Sequence, residues 1–428
     1  MPEQLPRPRS GRFLMAVIDG GGTLPPAMGL AAELVRRGHV VGVLADPTVE
    51  QSAKAAGCAF TAWHDAPHFD TVDDQTTMVT ALETGNPYRQ FTAVRDRLLA
   101  GPAPQFANEV TAAADRNPPD VVLAEGAVPG ILIGAEATHR PTAALMPNVY
   151  LRPTPGLPQM GTGWSPARGP AGRARDILVR GAVRRMLAGG LPPINAALTA
   201  HGRPPIGDLF ELLDRCAEVL VMTSPSFDFS TPHLPANVHY VGPQLDDPEW
   251  AETNGWRPDG AGPIVLIAAS STFQDQTDLL RRAAAALGGL PVRGVLTTGR
   301  AIDPAEISAP ANVHVVRAAP HRAVLAEAAA VITHAGHGSV MKALAAGVPL
   351  VCMPMGRDQK DNTVRVLRLG AGVGVDKDAD AGRITAAVRR VLDEPGFADA
   401  ARRMAATLAT EARTRPSAAD RAEGLLNG

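Results

Sequence analysis

The segment from Thr333 to Asn362 constrains the fold of this chain more than any other. It begins at the end of an apolar run that favours a β-strand, and it then crosses a turn that contains Gly336 and Gly338. The pattern predicts a helix over Ser339–Ala346, because Gly347 follows in the position where helices commonly end. A strand, a glycine-containing turn and a helix in this order are typical of parallel α/β sheets.

The same segment predicts an anion-binding site. The first backbone N–H groups of a helix lack intrahelical acceptors, and the helix dipole is positive at that end. Gly336 and Gly338 would let the backbone approach a phosphate, and Ser339 would either cap the helix or donate its hydroxyl to the anion. A second apolar run, Val348–Met353, predicts the next strand. The polar residues 356–359 after it lie where open parallel sheets bind ligands.

These residues resemble the nucleotide-sugar signature of the family 1 glycosyltransferases, which include UDP-sugar transferases and antibiotic glycosyltransferases. The family pattern combines H-x-G-x-G-[ST], a helix, Gly-Val-Pro, a strand, and an Asp-Gln pair with an asparagine three residues on. All anchors of this pattern are present here, at His334, Gly336, Gly338, Ser339, Gly347, Val348, Pro349, Asp358, Gln359 and Asn362. The resemblance implies an α/β protein with the GT-B fold, in which two Rossmann-like β/α/β domains face each other across a cleft.

Length and composition agree with this class of protein. The 428 residues are 45% hydrophobic and 20% charged, which is enough for two domains with separate cores. A net charge of −2 and an aromatic content of 4% do not favour nucleic acid as a partner. Three widely spaced cysteines predict neither a disulfide framework nor a zinc site. Because we find no signal-peptide core and no apolar run of about 18 residues, we expect a cytoplasmic protein without an integral membrane span.

Turn-rich segments divide the chain. We predict an acceptor-binding domain over residues 11–244, a linker over 245–262, a nucleotide-sugar-binding domain over 263–395, and a final helix over 396–428 that packs back on the first domain, as in the family. The first domain opens with a βαβ unit. A dinucleotide-binding fingerprint does not fit there, because its third glycine would fall on Pro25. Residues 57–105 look irregular, residues 147–172 predict a long binding loop, and Arg173–Leu187 predicts a basic surface helix.

The resemblance assigns the donor site to the second domain. Seven residues are expected to bind the diphosphate: His334, Gly336, His337, Gly338, Ser339, Ser270 and Ser271. Asp358 and Gln359 would bind the sugar, while Pro320 and His321 lie where relatives hold the nucleotide base. Lys342 replaces a glutamate that binds the ribose hydroxyls in many relatives, and the tryptophan that plant members stack on uracil is absent. The choice between UDP and dTDP therefore stays open.

The catalytic pair of the family is altered in this chain. Aligning Pro26 with the family's proline places Thr23 where relatives have the catalytic histidine, and a threonine hydroxyl cannot act as a general base near neutral pH. Glu125 follows a predicted buried strand and stands where an aspartate of the family polarises that histidine. A carboxylate is then the simplest group to accept a proton, so Glu125 is our first hypothesis for the base and Asp19 the second.

Loops of the first domain are expected to form the acceptor pocket. His64, His68 and Trp164 are candidates for its wall, and His64, His68 and Asp70 are further candidates for the base. The spacing of this His/Asp-rich stretch is not that of a metal site, since neither H-x-x-x-H nor H-E-x-x-H occurs, and a solvated loop is the alternative. Asp358 and His334 also have structural alternatives, as a helix cap and as a buried residue at a strand end.

The resemblance implies an inverting glycosyltransferase that moves a sugar from a dTDP- or UDP-sugar to a small, largely apolar natural-product aglycone, as in bacterial antibiotic biosynthesis. It implies no cofactor and no obligatory metal, and it leaves a homodimer open. Two other functions stay open. A different GT-B enzyme, such as a nucleotide-sugar 2-epimerase, would change the sugar without an acceptor. A non-catalytic partner of another glycosyltransferase would not hydrolyse the donor.

Overall fold

Two parallel β-sheets, one in each half of the chain, form the framework of the protein. The computed structural model describes residues 10–82, 86–247, 251, 255–269, 274–300 and 302–427. The central strands are short apolar runs that are buried along their whole length, as expected when helices cover both faces of a parallel sheet. The fold is therefore of the predicted α/β class, with two Rossmann-like domains.

Within the described residues, the first sheet has seven strands in the order β3-β2-β1-β4-β5-β6-β7, all parallel. These strands are β1 (Arg12–Ala16), β2 (Val40–Ala45), β3 (Ala59–Ala62), β4 (Val121–Glu125), β5 (Thr142–Met146), β6 (Glu218–Val221) and β7 (Val238–Tyr240). The α-helices of this half are α1 (Leu24–Arg36), α2 (Glu50–Ala55), α3 (Val72–Leu82), α4 (Pro87–Val94), α5 (Ala103–Arg116), α6 (Pro129–Ala137), α7 (Gly169–Ala188), α8 (Leu191–Ala200) and α9 (Glu211–Asp214).

The second sheet has six parallel strands in the described part of the chain, in the order β10-β9-β8-β11-β12-β13. They are β8 (Ile264–Ala268), β9 (Arg293–Thr297), β10 (Val313–Val316), β11 (Ala328–Thr333), β12 (Leu350–Cys352) and β13 (Gly372–Gly374). The α-helices of this half are α10 (Thr277–Leu287), α11 (His321–Glu327), α12 (His337–Ala345), α13 (Gln359–Leu369), α14 (Ala381–Asp393), α15 (Pro395–Thr414) and α16 (Ala418–Gly424).

Both sheets reverse their direction of growth near the centre. In the first sheet the chain proceeds outwards from β1 to β3 and then returns to add β4 on the other side of β1. The second sheet repeats this reversal between β8 and β11. At such a reversal, the loops that follow the two adjacent strands run in opposite directions. This opens a crevice between them at the carboxyl ends of the strands. The loop of residues 17–23 after β1 and the turn of residues 334–336 after β11 both begin at such a crevice.

A buried ion pair joins the two domains. The Asp228 carboxylate, from the connection between β6 and β7, accepts hydrogen bonds from Arg365 Nε at 3.0 Å and Nη2 at 2.6 Å. Arg365 belongs to α13, and both side chains are buried. Tyr240 also donates its hydroxyl to Asp228, at 2.8 Å, and the Arg365 guanidinium lies 4.3 Å from the centre of the Phe229 ring. These contacts fix the α13 helix against the first domain.

The C-terminal segment forms two helices where the sequence predicts one. α15 packs on α12 of the second domain and its Glu411 accepts hydrogen bonds from Ser224 and Ser226 of the first, while the short α16 packs on α1 of the first. The break has a local cause, because Ser417 accepts a hydrogen bond from Asp420 N and forms a capping box that starts α16. Arg37 then donates to Asp420 and Glu423 at 2.7 and 2.8 Å.

The prediction of irregular structure over residues 57–105 is wrong. This stretch contains β3, α3, α4 and the start of α5. A sequence signal was present at α4, where Asn86 accepts a hydrogen bond from Arg89 N at 2.9 Å and Pro87 follows as the first helical residue. Many of the described side chains of α3 and α4 are half-exposed or exposed, so these helices contribute few residues to the core.

The long loop and the basic helix after β5 are where the sequence predicts them. Residues 147–168 form turns and extended segments, and α7 follows them with most of its side chains at least partly exposed. Among the helices that the structure describes, none is both long and apolar enough to cross a lipid bilayer.

Candidate active site

A cleft of about 700 Å³ lies between the two domains, at the carboxyl ends of both sheets. The first-domain residues that line the cleft include residues 19–26, parts of α1 and α2, Asn148 and Met160. From the second domain it takes residues from the loops after β9, β10, β11 and β12. The cleft is therefore built where both crevices open, and each domain supplies one side of it.

The predicted anion site opens onto this cleft. α12 begins at His337, two residues earlier than expected, and Gly336 is its N-cap. The backbone N–H groups of His337, Gly338 and Ser339 lie in the first turn, where no intrahelical acceptor is available to them. All three residues line the cleft, so the positive end of the helix faces it. Ser339 consequently lies inside the first turn and does not cap the helix.

Gly336 has a different physical role from the expected one. Its φ is −60°, a value that any residue adopts. A Cβ atom at this position would lie 2.4 Å from His334 Nε2, so the glycine makes room for the histidine ring. At Gly338 an added Cβ would have no neighbour within 4 Å, which keeps the N-terminus of α12 accessible.

His334 is a neutral hydrogen-bonding group at the edge of the anion site. Its ring is buried but lines the cleft, and Nδ1 lies 3.4 Å from Thr333 Oγ1. Burial lowers the pKa of His334 to about 4, and the positive charge of Arg357 acts in the same direction. The imidazole is therefore neutral near pH 7 and carries one N–H, for which the backbone carbonyl of Ala268 and a bound anion are the alternative acceptors.

Replacing His334 with alanine should weaken binding of dTDP or UDP about tenfold to hundredfold, since a hydrogen bond to a charged group contributes roughly 1.5–3 kcal/mol. Titration calorimetry of the wild type and the His334→Ala variant measures the two affinities for dTDP or UDP. Because the histidine is already neutral above pH 5, the ratio of the two affinities should stay constant between about pH 6 and 8. Equal affinities for the wild type and the variant would show that His334 serves only the packing around Gly336.

His337 contributes its backbone to the anion site, but its side chain points elsewhere. The ring nitrogen Nε2 lies 2.9 Å from Thr223 Oγ1 of the first domain, and the ring makes an edge contact with Phe227 at 6.1 Å between centroids. Burial lowers the pKa of His337 to about 4. That His337 binds the diphosphate stays a prediction for its backbone N–H, because the imidazole is engaged in a contact between the domains.

Asp358 and Gln359 stand at the start of α13 and line the cleft. Asn362 Nδ2 donates to Asp358 Oδ2 at 2.8 Å and to the Ala335 carbonyl at 3.0 Å, so it ties this helix to the turn after β11. Gln359 Oε1 accepts hydrogen bonds from the N–H groups of Met355 and residue 356, at 2.7 and 3.0 Å. The side chain of Gln359 thus also shapes the loop that the sequence assigns to the sugar. Burial raises the pKa of Asp358.

Three arginines that the sequence interpretation did not single out also line the cleft: Arg300, Arg317 and Arg357. Arg300 and Arg317 follow the ends of β9 and β10. Because open parallel sheets bind ligands beyond the carboxyl ends of their strands, this position in the sequence could have identified both arginines as site residues. Burial lowers the pKa of Arg300, while the negative charge of Asp19 across the cleft acts in the opposite direction. Arg357 has a left-handed backbone with φ of 54°, a conformation uncommon outside glycine. Together these side chains make the donor side of the cleft cationic.

The region predicted to hold the nucleotide base is only partly on the cleft. His321 lines it, and burial lowers the pKa of its ring to about 4, whereas Pro320 is the N-cap of α11. Lys342 lines the cleft as well, with Nζ 2.6 Å from Oδ1 of Asp247 in the predicted linker. The positive charge of Lys342 is therefore partly neutralised by an aspartate. Ser270 and Ser271 lie outside the described residues.

Of the two carboxylates that the sequence proposes as the base, Asp19 is the one that lines the cleft. Its Oδ2 accepts a hydrogen bond from Thr48 Oγ1 at 2.8 Å and its Oδ1 accepts one from the N–H of residue 21 at 3.1 Å. Its backbone is held as well, because Asp19 N donates to Asp46 Oδ2 at 2.6 Å and the Asp19 carbonyl accepts from Gln75 Nε2 at 2.6 Å. Burial raises the pKa of Asp46 to about 6, and the neighbouring Asp19 adds to this effect.

The sequence analysis ranks Glu125 before Asp19 as the general base, and the structure does not support that ranking. Glu125 ends β4 and is 3% exposed, but it does not line the cleft. Burial raises its pKa to about 8, so the carboxyl is mainly protonated at neutral pH. Thr23 lines the cleft, yet its hydroxyl is buried without a hydrogen-bond partner among the described residues. Asp19 is the better-placed proton acceptor.

The three residues predicted for the acceptor wall are corrected as a group, because none lines the cleft. The His64 side chain is 90% exposed and lies 2.9 Å from Asp65. His68 turns back on its own loop, where Nδ1 is 2.7 Å from the Ala66 carbonyl, and Nε2 lies 3.6 Å from Asp70. Trp164 stacks against Arg175 of α7, at 4.2 Å. His64, His68 and Asp70 are equally excluded as bases by this placement.

Residues 287–425 match the family model described as erythromycin biosynthesis protein CIII-like, C-terminal domain. The chain is similar to 4'-demethylrebeccamycin synthase from Lentzea aerocolonigenes, with 29% identity over 393 residues that cover 90% of this chain and 93% of that protein.

Solved structures show the same fold. The glycotransferase of kitacinnamycin superposes with a TM-score of 0.74 at 23% identity, and the match covers 98% of this chain and 99% of that one. The glycosyltransferase VinC in complex with dTDP superposes with a TM-score of 0.65 at 22% identity, covering 97% and 98% of the two chains.

Proposed function

We propose that this chain, which belongs to the antibiotic-type family 1 glycosyltransferases with the GT-B fold, transfers a sugar from a dTDP- or UDP-sugar to a small, largely apolar natural-product aglycone. The observation that carries the proposal is the N-terminus of α12, which opens onto the cleft beside Asp358 and Gln359. A helix N-terminus attracts an anionic diphosphate, and a carboxylate next to an amide suits sugar hydroxyls. The solved VinC complex holds dTDP, so dTDP-sugars are the first donors to test.

The second domain supplies what a nucleoside diphosphate leaving group needs. Negative charge grows on the diphosphate as the bond to the sugar breaks. The first turn of α12, the neutral His334 and the cleft-lining Arg300, Arg317 and Arg357 would surround that charge with fixed donors and cations. Preorganised groups of this kind stabilise the transition state more than the ground state.

The first domain supplies an apolar acceptor side. Leu24, Pro25, Met28, Val72 and Met160 line it, and none of the described first-domain residues on the cleft is a lysine or an arginine. An acceptor with an anionic group would lose its hydration there without gaining a cationic partner. These features support a neutral, largely apolar aglycone.

The chemical step is a single displacement. Asp19 takes the proton of the acceptor's hydroxyl or N–H group, and the acceptor atom forms its bond to the anomeric carbon. The bond between that carbon and the diphosphate oxygen breaks, and its electron pair leaves with the nucleoside diphosphate. One displacement inverts the anomeric configuration. Asp19 suits the role because Thr48 and the backbone hold its carboxylate at the cleft.

The function is tested by incubating the protein with a panel of dTDP- and UDP-sugars, with and without apolar aglycones, and following products by mass spectrometry. Transfer that requires both substrates supports the proposal. Conversion of the sugar in the absence of an acceptor would identify an epimerase. Failure of all the nucleotide sugars to bind in a thermal-shift assay would refute the donor site.

Asp358→Ala and Gln359→Ala should lower turnover while leaving the affinity for free dTDP or UDP nearly unchanged, because both residues lie one strand beyond the turn that binds the diphosphate. Gln359→Glu is the sharper variant. It keeps the oxygen that accepts from the loop backbone, and it removes the amide nitrogen, which lies 2.9 Å from the side chain of Gln274. Steady-state kinetics and calorimetry measure the two quantities.

Asp378→Ala serves as the control, since this exposed carboxylate pairs with Lys377 away from the cleft. An equal loss of dTDP or UDP binding and of turnover in the Asp358 and Gln359 variants would show that these residues do not contact the sugar.

A further inference from the structure

The long loop between β5 and α7 is tied to the donor-binding domain by one carboxylate. Asp361, in the first turn of α13, accepts hydrogen bonds from Gly161 N at 2.5 Å and from Gly163 N at 2.9 Å. Asp361 is 2% exposed, so water hardly competes for these bonds. Both glycines have positive φ angles, 86° and 65°. Only a backbone of this shape turns two N–H groups so close in sequence towards one anion, and glycine adopts it without strain.

This contact joins the two sides of the cleft. Met160, which directly precedes Gly161, lines the cleft on the acceptor side. Asp358 and Gln359, just before Asp361 on the other chain segment, line it on the donor side. The loop backbone also lies directly on α13, because a Cβ added to Gly163 would be 2.8 Å from Lys360 Cβ. The position of Met160 therefore depends on a residue of the opposite domain.

Asp361 is not needed merely to keep the domains together. One turn further along α13, Arg365 already makes the buried ion pair with Asp228 and also donates to the Asp361 carbonyl at 3.0 Å. Among the described residues, the Asp361 carboxylate accepts hydrogen bonds from the loop alone. On its far side the loop is anchored separately, by the stacking of Trp164 on Arg175.

We propose that Asp361 is a positioning residue for the acceptor: its carboxylate holds residues 159–163 against the donor-site helix, so that Met160 completes the acceptor side of the cleft. The inference rests on the proposed sugar transfer. It predicts that acceptor recognition is assembled by both domains, although the acceptor wall belongs to the first. A substitution at Asp361 should therefore weaken recognition of the acceptor and leave the affinity for the nucleotide unchanged.

The test is Asp361→Asn, which keeps the size of the side chain but leaves one oxygen for two N–H donors and turns an amide group towards one of them. We expect the KM for the acceptor to rise about tenfold, the effect of losing about one charge-assisted hydrogen bond. The kcat at saturating acceptor and the Kd for dTDP or UDP should change less than about twofold. Asp399→Asn, an exposed carboxylate of the same domain, is the matched control.

Gly163→Ala tests the contact from the loop side, because its Cβ would collide with Lys360. It should raise the acceptor KM to a similar extent, and the double variant should be no worse than either single variant. Amide hydrogen exchange supplies a readout that does not need transfer: peptides covering residues 156–164 should exchange faster in both variants, with or without a known acceptor.

These readouts separate the positioning role from the proposed function. Faster exchange in the loop with unchanged nucleotide binding supports the positioning role even if no transfer is detected. Unchanged exchange would overturn it. A loss of nucleotide affinity as large as the rise in acceptor KM would also overturn it, because Asp361 would then act on the donor.

Discussion

Replacing Asp19 with asparagine should lower turnover about 10²- to 10⁴-fold, the range expected when a general base is removed. Asparagine keeps the size of the side chain and can still accept from Thr48, but it cannot take a proton from the acceptor. Binding of dTDP or UDP should be unchanged, because Asp19 lies on the first-domain side of the cleft. Steady-state kinetics with saturating donor, combined with calorimetry of nucleotide binding, measures both quantities.

Glu125→Gln is the matched comparison, since it makes the same change at the other carboxyl. Burial raises the pKa of Glu125 to about 8, so the group is mainly neutral at pH 7 and glutamine imitates it closely. We expect activity within a few-fold of the wild type. A fall of several hundredfold in Glu125→Gln, with an active Asp19→Asn protein, would return the role of the base to Glu125.

Replacing Arg365 with methionine should lower the free energy of unfolding by about 3–5 kcal/mol, because it leaves the buried Asp228 without its cationic partner. The remaining hydrogen bonds, from the Tyr240 hydroxyl and from the N–H groups of Phe229 and Tyr150, do not neutralise the carboxylate. Urea denaturation of the wild type and the variant measures the difference. The double variant Arg365→Met with Asp228→Asn should recover part of the loss, since it removes the unpaired charge.

Arg402→Met is the control for this prediction. Arg402 pairs with Asp399 on the exposed face of α15, where the side chains are 63% and 53% exposed, and such surface pairs contribute about 0–1 kcal/mol. A loss of less than about 1 kcal/mol in Arg365→Met would show that water reaches Asp228 when the guanidinium is removed.

The donor half of the site could be read from the sequence because its parts are close together along the chain. The strand end, the glycine turn, the helix and the Asp-Gln loop occupy about thirty consecutive positions, and local propensities place them in order. Even there the structure changed the details. Gly336 accommodates the His334 ring instead of bending the backbone, and the His337 side chain turns to Thr223 of the other domain.

For the proposed acceptor side and base, tertiary structure determines which of the candidate side chains line the cleft. Thr23 and Glu125 align with a known pair, but alignment carries no information on whether a strand end faces the cleft, and here Asp19 does and Glu125 does not. The histidines at 64 and 68 were chemically plausible and point away.

By itself, the sequence determined the α/β class, because this follows from periodicity and short-range turns. Its resemblance to a known family added the nucleotide-sugar motif and the arrangement of two domains across a cleft. Only the tertiary structure brought Asp361 to Gly161 and Arg365 to Asp228, pairs that are 200 and 137 positions apart. Such contacts depend on how two separately folded sheets pack. No local pattern encodes that packing, and a buried carboxylate finds its partner only once the domains have closed around it.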